Sequence, residues 1–251
     1  MLARRLVVCL DVLDGQVVKG TRFVDLHAVG DPVELAARYE AEGADEIVFL
    51  DISASTEDRS TLLDVARRTA ERLFVPLTIG GGIRSVDDVG LALRSGADKV
   101  SINSAAVERP AILTEAATRF GAQCVVASID AKRDGDGWQV YVKGGRKRTD
   151  LDVIDWAMEC VRRGAGEVLL TSIDHDGVRT GYDVALIRRV SDAVNVPVVA
   201  SGGAGTAEHV CAALAAGADA ALLAGILHDG TTTVRAVKRA MLDAGLPVRA
   251  A

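Results

Sequence analysis

The stretch Leu77-Thr-Ile-Gly-Gly-Gly-Ile-Arg84, followed by Gly96-Ala-Asp-Lys-Val-Ser-Ile-Asn103, decides the fold of this chain, because a second version of it occurs further on. The second version reads Val198-Val-Ala-Ser-Gly-Gly-Ala-Gly205 and Gly217-Ala-Asp-Ala-Ala-Leu-Leu-Ala224. Both of its parts start 121 residues after their counterparts (77 to 198 and 96 to 217). Self-similarity at a fixed period is typical of a fold built from repeated units, so one half of the chain is predicted to copy the other.

A shorter signature divides each half again. Gly-Ala-Asp or Gly-Ala-Gly begins at Gly43, Gly96, Gly164 and Gly217, and the two copies in each half lie 53 residues apart (43 to 96 and 164 to 217). Each copy follows a stretch of helical periodicity, where glycine suits the left-handed residue that ends a helix. The pattern predicts half repeats at about residues 1–121 and 122–251, each made of two quarters.

Apolar runs of strand length alternate eight times with stretches of helical periodicity. The runs are rich in β-branched residues and apolar on both faces, as expected for parallel strands covered by helices. They lie near residues 6–11, 46–51, 75–79, 99–102, 123–130, 167–171, 196–200 and 219–223. The pattern predicts a single α/β domain, a (β/α)₈ (TIM) barrel with its chemistry at the carboxyl ends of the strands. The alternative, an open doubly wound sheet, does not explain so even a two-fold repeat.

The composition argues against several classes of protein. The chain has a net charge of −6 and a pI near 5.3, whereas nucleic-acid or membrane-surface binding needs a basic field. No eighteen apolar residues run together and no signal-type segment precedes the first strand, so we expect a cytoplasmic enzyme. The four cysteines lie far apart without ligand-like histidines, which favours buried thiols over disulfides or a zinc site.

Two connections are longer than turns. Residues 13–30 follow the first strand, are polar and contain several glycines, so they are predicted to form a mobile loop over the active face. Residues 134–148 follow the fifth strand and are predicted to form a small hairpin with a basic end. That basic end either faces solvent or attracts an anionic substrate.

Two aspartates are the candidates for acid–base chemistry. Asp11 and Asp130 end the predicted first and fifth strands, so closure of the barrel would place them on opposite sides of one pocket. Such a pair suits proton transfer on two faces of a bound substrate. The alternative is that each carboxylate only caps a loop or holds a lysine. Lys19, in the glycine-flanked loop after Asp11, would supply a positive charge nearby.

Glycines at the ends of the predicted third and seventh strands are candidates for anion binding, because absent side chains let backbone N–H groups approach a phosphate. Gly80-Gly-Gly82 has Asn103-Ser104 as its partner in the first half, and Gly202-Gly203 has Ala224-Gly225 in the second. Tight packing is the alternative explanation for one such pair. Two repeat-related copies predict two phosphate sites, and therefore a substrate with a phosphate at each end.

Further polar residues lie on the same predicted face. Asp51 ends the second strand, and the segment Thr171-Ser-Ile-Asp-His-Asp-Gly177 follows the sixth. Asp174 and Asp176 are expected to bond hydroxyl groups or to hold the glycine turn, whereas His175 is assigned no catalytic role.

Charged residues begin four strands at the opposite face. They are Arg5, Glu46, Lys99 and Glu167. Strand starts converge on the axis of a closed barrel, so two cations and two anions are predicted to form a ring of ion pairs. The alternative is a plug that only stabilises the fold, since charges at this face usually serve stability.

Taken together, these motifs resemble the family of cyclase subunits of imidazole glycerol phosphate synthase, from histidine biosynthesis. The resemblance covers nearly the whole chain. It rests on Cys9-Leu-Asp-Val12, Val17-Val-Lys-Gly20, Phe49-Leu-Asp-Ile52, Gly80-Gly-Gly-Ile83, Gly96-Ala-Asp-Lys-Val-Ser-Ile-Asn103, Ile129-Asp-Ala-Lys132, Gly164-Ala-Gly-Glu167, Thr171-Ser-Ile-Asp174 and Ser201-Gly-Gly-Ala-Gly205.

The resemblance implies roles for particular residues. Asp11 and Asp130 would be the catalytic acid–base pair, with Lys19 in a closing loop. The other substrate-binding residues would be Asp51, Thr171 and Ser201, with one phosphate at Gly82, Asn103 and Ser104, and the other around Asp176, Gly177, Gly203, Ala224 and Gly225. The family often has serine in place of Gly225, so the second phosphate site would lose a hydroxyl group and keep its backbone N–H.

The family's reaction supplies what residue patterns do not. Ammonia adds to the ribulosyl arm of a bis-phosphate formimino-carboxamide ribonucleotide, the aminoimidazole carboxamide ribonucleotide leaves, and the ring of imidazole glycerol phosphate closes. These steps move protons, and the resemblance implies no metal or other cofactor. The ammonia is expected from a separate glutaminase, through a channel gated by Arg5, Glu46, Lys99 and Glu167, with Asp98 on the docking surface.

Two other functions stay open. The phosphoribosyl-formimino isomerase of the same pathway also has two aspartates, two phosphate sites and a half repeat. Lys19 and the segment Thr171-Ser-Ile-Asp174 favour the cyclase over that isomerase. A non-catalytic barrel belongs to a different class, and the intact pair of aspartates argues against it.

Overall fold

The structure is a computed structural model, and it describes residues 2–21, 24–52 and 56–249 of the 251-residue chain. Within these ranges it has twelve β-strands and ten α-helices. The strands are β1 (Arg5–Leu13), β2 (Gln16–Thr21), β3 (Val24–Gly30), β4 (Glu46–Asp51), β5 (Leu77–Gly80), β6 (Lys99–Ile102), β7 (Val125–Asp134), β8 (Gly137–Val142), β9 (Lys147–Asp152), β10 (Glu167–Ser172), β11 (Val198–Ser201) and β12 (Ala220–Leu223). The helices are α1 (Pro32–Ala41), α2 (Thr56–Ala70), α3 (Val86–Arg94), α4 (Ser104–Glu108), α5 (Ala111–Phe120), α6 (Val153–Arg162), α7 (Val184–Ala193), α8 (Ala207–Ala215), α9 (Gly225–His228) and α10 (Val234–Asp243), with a 3₁₀ turn at Ala122–Cys124.

Eight of the strands form a closed cycle. Their order is β1, β4, β5, β6, β7, β10, β11 and β12, and β12 is again next to β1. Helices lie between successive strands of the cycle, so the predicted (β/α)₈ barrel is confirmed. The predicted strands at residues 46–51 and 99–102 have the bounds observed for β4 and β6.

The chain divides into two compact units. The terminal unit consists of Met1–Val100 and Leu223–Ala251, and the central unit of Ser101–Leu222. Valine, isoleucine, leucine and alanine make up most of the buried interior of both units. That the two units form one folding domain remains a prediction.

Residues 13–30, predicted as a loop, instead form strands. β1 continues to Leu13 and pairs antiparallel with β2, which pairs with β3. Asp14 and Gly15 have φ angles of 50° and 73°, as in the two-residue turn that Asp-Gly favours in hairpins. The loop prediction is wrong because Asp14-Gly15 is a hairpin-turn signal, so the chain reverses between Leu13 and Gln16 instead of forming a long loop. Residues 22–23, which belong to the same predicted loop, lie outside the described residues.

The predicted hairpin after the fifth strand of the barrel is confirmed. β7 runs on to Asp134 and pairs antiparallel with β8, which pairs with β9. The turn between β8 and β9 contains Lys143, Gly144 and Gly145, all with positive φ. Alternate residues of β8 are buried, so the hairpin is anchored along one face.

Asp31, Ser85, Asp183 and Thr206 are residue types that commonly begin helices, and each directly precedes a helix. Asp31, Ser85 and Asp183 each accept N–H groups from the first turn of their helices, and Ser85 forms a capping box with Asp88. Thr206 precedes α8, but its side chain makes no capping bond. Over the parts of the chain that the structure describes, no helix has the length and apolar character needed to cross a membrane.

The Gly-Ala-Asp signature fixes the starts of neighbouring barrel strands. In three of its four copies the aspartate N–H donates to a C=O of the preceding strand, and the aspartate carboxylate accepts the N–H of the same residue. The pairs are Asp45 with Leu6, Asp98 with Leu77 and Asp219 with Val198, with carboxylate-to-nitrogen distances of 2.8, 2.8 and 3.1 Å. Each aspartate therefore satisfies two backbone groups of the neighbouring strand.

The fourth copy of the signature has Gly166 in place of aspartate. The N–H of Gly166 still donates to the C=O of Val125, at 2.9 Å. A Cβ at Gly166 would lie 2.3 Å from the carbonyl oxygen of Ala122, at the start of the 3₁₀ turn. Close packing therefore requires glycine here and explains why this copy departs from the repeat.

Candidate active site

The candidate residues are divided between the two units. The terminal unit holds Asp11, Lys19, Asp51, Gly82, Ala224 and Gly225. The central unit holds Asn103, Ser104, Asp130, Thr171, Asp176, Gly177, Ser201 and Gly203. At the opposite ends of the strands, Arg5, Glu46, Asp98 and Lys99 belong to the terminal unit and Glu167 to the central unit.

The two candidate acid–base residues hold the same place in their strands. Each lies in a barrel strand that pairs in parallel with one neighbour and antiparallel with a hairpin strand on the other side. Each aspartate is the first residue of its strand to have both partners. Asp11 lies opposite Leu50 of β4 and Val18 of β2, and Asp130 lies opposite Thr171 of β10 and Tyr141 of β8. Both strands continue past the aspartate into a hairpin, so the prediction that the aspartates end their strands is wrong.

Asp130 accepts a hydrogen bond from one side-chain amide, and its surroundings shift its pKa. Asn103 Nδ2 donates to Asp130 Oδ2 at 3.0 Å. Burial raises the pKa of Asp130 from 3.8 to about 6, the Asn103 hydrogen bond opposes the rise, and the negative charge of Asp176 adds to it. At this pKa the carboxyl group exchanges protons readily near neutral pH, as a general acid or base requires.

Asn103 also has an acceptor to offer. It is the last residue before α4, and its Oδ1 is buried without a hydrogen-bond partner among the described residues. A buried carbonyl oxygen without a donor is costly, so its presence suggests that a ligand supplies the donor. The same side chain can therefore orient Asp130 and contact a bound molecule.

Ser104 begins α4 and keeps a proton available. Its Oγ accepts the N–H of Lys143, in the turn between β8 and β9, at 3.0 Å. A serine hydroxyl group has one donor in addition to its acceptor lone pairs, so Ser104 can still donate to an anion. The β8–β9 turn thus positions the Ser104 hydroxyl group and leaves its O–H able to donate a hydrogen bond.

The segment after β10 forms a compact turn. The N–H of Asp176 donates to the C=O of Ser172 at 3.0 Å, and Ser172 Oγ lies 3.0 Å from His175 Nδ1. Burial raises the pKa of Asp176, and the N–H of Gly177 opposes the rise. Asp176 is therefore a partly buried acceptor whose negative charge acts on Asp130.

Two glycines at the predicted phosphate loops are required by packing. A Cβ at Gly81 would lie 2.1 Å from the carbonyl oxygen of Asp51, and a Cβ at Gly202 would lie 2.7 Å from that of Ser172. Both have φ near +85°, which only glycine adopts at little cost. The packing alternative explains these two residues, while phosphate binding by their neighbours remains a prediction.

Asp11 and Lys19 make separate contacts in the terminal unit. Asp11 Oδ1 lies 3.7 Å from the Sγ of Cys9. Lys19, which lies in β2 and not in a loop, forms an ion pair with Asp229, the residue after α9. The register of β2 places Val18, and not Lys19, opposite Asp11.

At the strand starts, one buried carboxylate pairs with two cationic side chains. Glu46 is 3% exposed, and its Oε2 accepts both Arg5 Nη1 and Lys99 Nζ at 2.8 Å. Its Oε1 accepts the hydroxyl group of Thr78 at 2.6 Å, a partner that sequence reasoning missed. Glu167, the repeat counterpart of Glu46, is 5% exposed at the start of β10.

His228, which the sequence analysis did not single out, has a defined place next to β1. The hydroxyl group of Tyr39 lies 2.7 Å from His228 Nδ1, and His228 Nε2 lies 3.0 Å from the C=O of Cys9. The Nε2–H therefore donates to Cys9 and Nδ1 accepts from Tyr39. No spacing rule links these residues, because the Tyr39–His228 pair is separated by 189 positions.

Comparisons with known proteins cover nearly the whole chain. A model of the family described as histidine biosynthesis protein matches residues 5–233. The chain is 72% identical over 250 residues to the imidazole glycerol phosphate synthase subunit HisF of Myxococcus xanthus (strain DK1622), with 99% of each chain covered. It is 57% identical to the subunit of the same name from Metallosphaera sedula and 56% identical to that from Synechococcus sp. (strain CC9605), with 99% of this chain and 100% of each relative covered.

Proposed function

The chain belongs to the histidine biosynthesis protein family, and we infer that it acts as the cyclase subunit of imidazole glycerol phosphate synthase. Full-length identity of 56–72% to subunits of that name supports this function. The observation that carries it at the site is the partly buried Asp130, whose pKa of about 6 and Asn103 partner suit proton transfer.

For the chemistry, we propose Asp11 and Asp130 as the acid–base pair. Addition of ammonia to the ribulosyl arm, loss of the aminoimidazole carboxamide ribonucleotide and closure of the imidazole ring each need protons to move. Two carboxyl groups at matching places in β1 and β7 could serve two faces of the substrate.

Thr171 and Ser201 are proposed to bind the substrate beside Asp130. Thr171 lies opposite Asp130 on one side and opposite Ser201 on the other. Neighbouring residues in register in a parallel sheet direct their side chains to the same face, so the two hydroxyl groups share the face of Asp130. Asp51 is proposed for the same role in the terminal unit.

Two phosphate sites are proposed from the half repeat. The first comprises Gly82, Asn103 and Ser104, and the second Asp176, Gly177, Gly203, Ala224 and Gly225. The residues before α4 and α9 support the equivalence, because Asn103 and Ala224 have similar unusual backbone angles (φ −114°, ψ −95° and φ −140°, ψ −87°). The second site has no hydroxyl group at Gly225, so its donors would be backbone N–H groups.

A subunit works with a partner, and the name that the relatives share implies one. We propose that the partner is a glutaminase that supplies ammonia. The Glu46 cluster with Arg5 and Lys99, together with Glu167, is proposed as the gate to the ammonia channel, with Asp98 on the docking surface. The carboxylate of Asp98 already accepts the N–H of Leu77, so Asp98 also has a structural role.

The deciding experiment is incubation of the purified protein with the ribulosyl bis-phosphate substrate and an ammonium salt at raised pH. Imidazole glycerol phosphate and the aminoimidazole carboxamide ribonucleotide are the expected products. Isomerisation of the precursor nucleotide instead would identify the isomerase of the same pathway. Binding of the substrate without any conversion would indicate a non-catalytic barrel.

A further inference from the structure

Lys19, a candidate for the substrate site, forms an ion pair with an aspartate of its own unit. Its Nζ is bound by the carboxylate of Asp229, which lies 210 positions along the chain and caps the end of α9. The two side chains are 30% and 22% exposed, so the pair is partly shielded from water. Such a pair holds the ammonium group more firmly than a fully exposed one.

The ion pair lies on the other face of the β1–β2 ribbon from Asp11. Val18 is directly opposite Asp11, and opposed residues of an antiparallel pair share a face. Successive side chains of a strand alternate between faces, so Lys19 projects from the face that Asp11 does not occupy. Cys9 lies on the face of Asp11, since its Sγ is 3.7 Å from Asp11 Oδ1.

The position of Asp229 is fixed by the residue before it. His228 bonds to the Tyr39 hydroxyl group on α1 and to the C=O of Cys9 on β1. Burial lowers the pKa of His228 to about 4, so the imidazole is neutral and keeps both bonds at neutral pH. The end of α9 is therefore attached to β1, and the Asp229 carboxylate has a defined place beside β2.

We propose that Asp229 is a positioning residue for Lys19, which it holds away from the face of Asp11 until an anionic substrate takes over the ammonium group. The proposal rests on the proposed function, because it assumes that Lys19 serves the substrate site. Asp229 and the substrate compete for one cation, so Asp229 lowers the affinity of the protein for the substrate.

A double-mutant cycle on substrate affinity tests the competition. Calorimetry with the ribulosyl bis-phosphate nucleotide in the absence of ammonia gives a dissociation constant without turnover. Asp229→Asn removes the competing charge and keeps the shape of the side chain, so the Kd should fall about two- to fivefold, as expected for a partly exposed ion pair. In the Lys19→Met background the same change at Asp229 should leave the Kd unaltered.

The matched control is Asp243→Asn. Asp243 pairs with Arg239 at the exposed end of α10, so this variant loses the same charge far from Lys19 in sequence and should bind like the wild type. An equal fall in Kd with and without Lys19 would overturn the proposal and indicate general repulsion of the substrate by Asp229. Unchanged or weaker binding by Asp229→Asn would also overturn it.

A second measurement needs no ligand. Acetylation of the substrate-free protein, followed by mass spectrometry, should modify the Lys19 amine several-fold faster in Asp229→Asn than in the wild type, with the other lysines unchanged. An unaltered rate at Lys19 would overturn the proposal. Failure of the wild type to bind the nucleotide at all would count against the proposed function instead, so the two failures are distinguishable.

Discussion

Burial and two neighbours set the acid–base behaviour of Asp130. Desolvation favours the neutral carboxyl group, the Asn103 amide favours the charged form, and Asp176 disfavours it. Asp130 therefore titrates near the pH at which an enzyme works. Its raised pKa also lowers the stability of the folded protein at neutral pH. Both consequences can be measured on single variants.

Replacing either candidate aspartate should remove most of the turnover. Asp11→Asn and Asp130→Asn lose the proton-transferring group and keep its shape, so we expect turnover to fall roughly 100-fold or more. Substrate affinity should be nearly retained, because the phosphate sites are untouched. Steady-state kinetics with ammonium, together with circular dichroism, checks this. Near-normal turnover in both folded variants would end the assignment.

The same Asp130→Asn variant should be more stable than the wild type at neutral pH. The folded-state pKa of about 6 lies above the ordinary value of 3.8, so the wild type loses stability as the pH rises through 6. Asparagine does not ionise, so the variant avoids this loss of stability. Its free energy of unfolding at pH 7.5 should exceed that of the wild type by about 1–3 kcal/mol. Urea titrations should show the gain shrinking as the pH falls toward 4. A pH-independent difference would contradict the prediction.

Two neighbours of Asp130 should shift its titration in opposite directions. Asn103→Ala removes a bond to the charged form, so the ionisation of Asp130 should move to higher pH. Asp176→Asn removes a negative charge, so the ionisation should move to lower pH. The pH profile of kcat/KM with ammonium reports both shifts. Shifts of the same sign in the two variants would show that Asp130 does not govern the profile.

A repeated pattern of hydrogen bonds fixes the starts of neighbouring barrel strands. Asp45, Asp98 and Asp219 each bind both backbone groups of one residue on the neighbouring strand. The 3₁₀ turn replaces this arrangement in the remaining quarter, where its backbone comes too close to Gly166 for any side chain. Local sequence thus sets the pattern, and packing decides where it must be broken.

Gly166→Ala should therefore destabilise the protein, although alanine is usually harmless at a backbone conformation without positive φ. Its Cβ would meet the carbonyl of Ala122 at 2.3 Å, and the turn would have to move. We expect a loss of at least about 2 kcal/mol in urea unfolding, since overpacking costs about 1–3 kcal/mol and this contact is with backbone. Gly137→Ala, whose Cβ would have its nearest neighbour at 3.7 Å, is the control and should change stability little. Equal stability of the two variants would contradict the packing argument.

At the scale of the whole molecule, charge at the strand starts is proposed to control the delivery of ammonia. Glu46 is shared by Arg5 and Lys99, so removal of the lysine leaves the carboxylate with one cation and the Thr78 hydroxyl group. Neutral ammonia can pass an apolar interior, whereas ammonium would pay a large desolvation cost. A gate at this face would therefore act on transfer and not on the cyclisation.

Lys99→Ala should impair the use of ammonia from glutamine while sparing cyclisation with ammonium salts. The physical reason is that the variant alters the Glu46 cluster and leaves the proposed acid–base residues in place. Both activities should be measured with the purified glutaminase partner. Equal loss in the two assays would mean that Lys99 only supports the fold. Full activity in both would mean that Lys99 has no part in a gate.

The barrel fold can be predicted from the sequence alone, whereas the roles of the candidate aspartates remain a prediction. Period and spacing are properties of the chain, so the 121-residue repeat predicts the barrel. Capping is also local, and Asp31, Ser85 and Asp183 each cap the helix that follows them in the sequence. Asp11 and Asp130 are recognisable from the sequence as polar residues late in two apolar runs, but their strands continue past them, which the sequence pattern did not predict.

Only the tertiary structure decided which distant residues meet. Lys19 pairs with Asp229, Tyr39 bonds to His228, and Thr78 completes the shell of Glu46. These partners are brought together by the closed order of the strands, and no period of the sequence relates them. The pKa of Asp130 likewise depends on tertiary structure, because its burial and the approach of Asn103 and Asp176 exist only once the chain has folded.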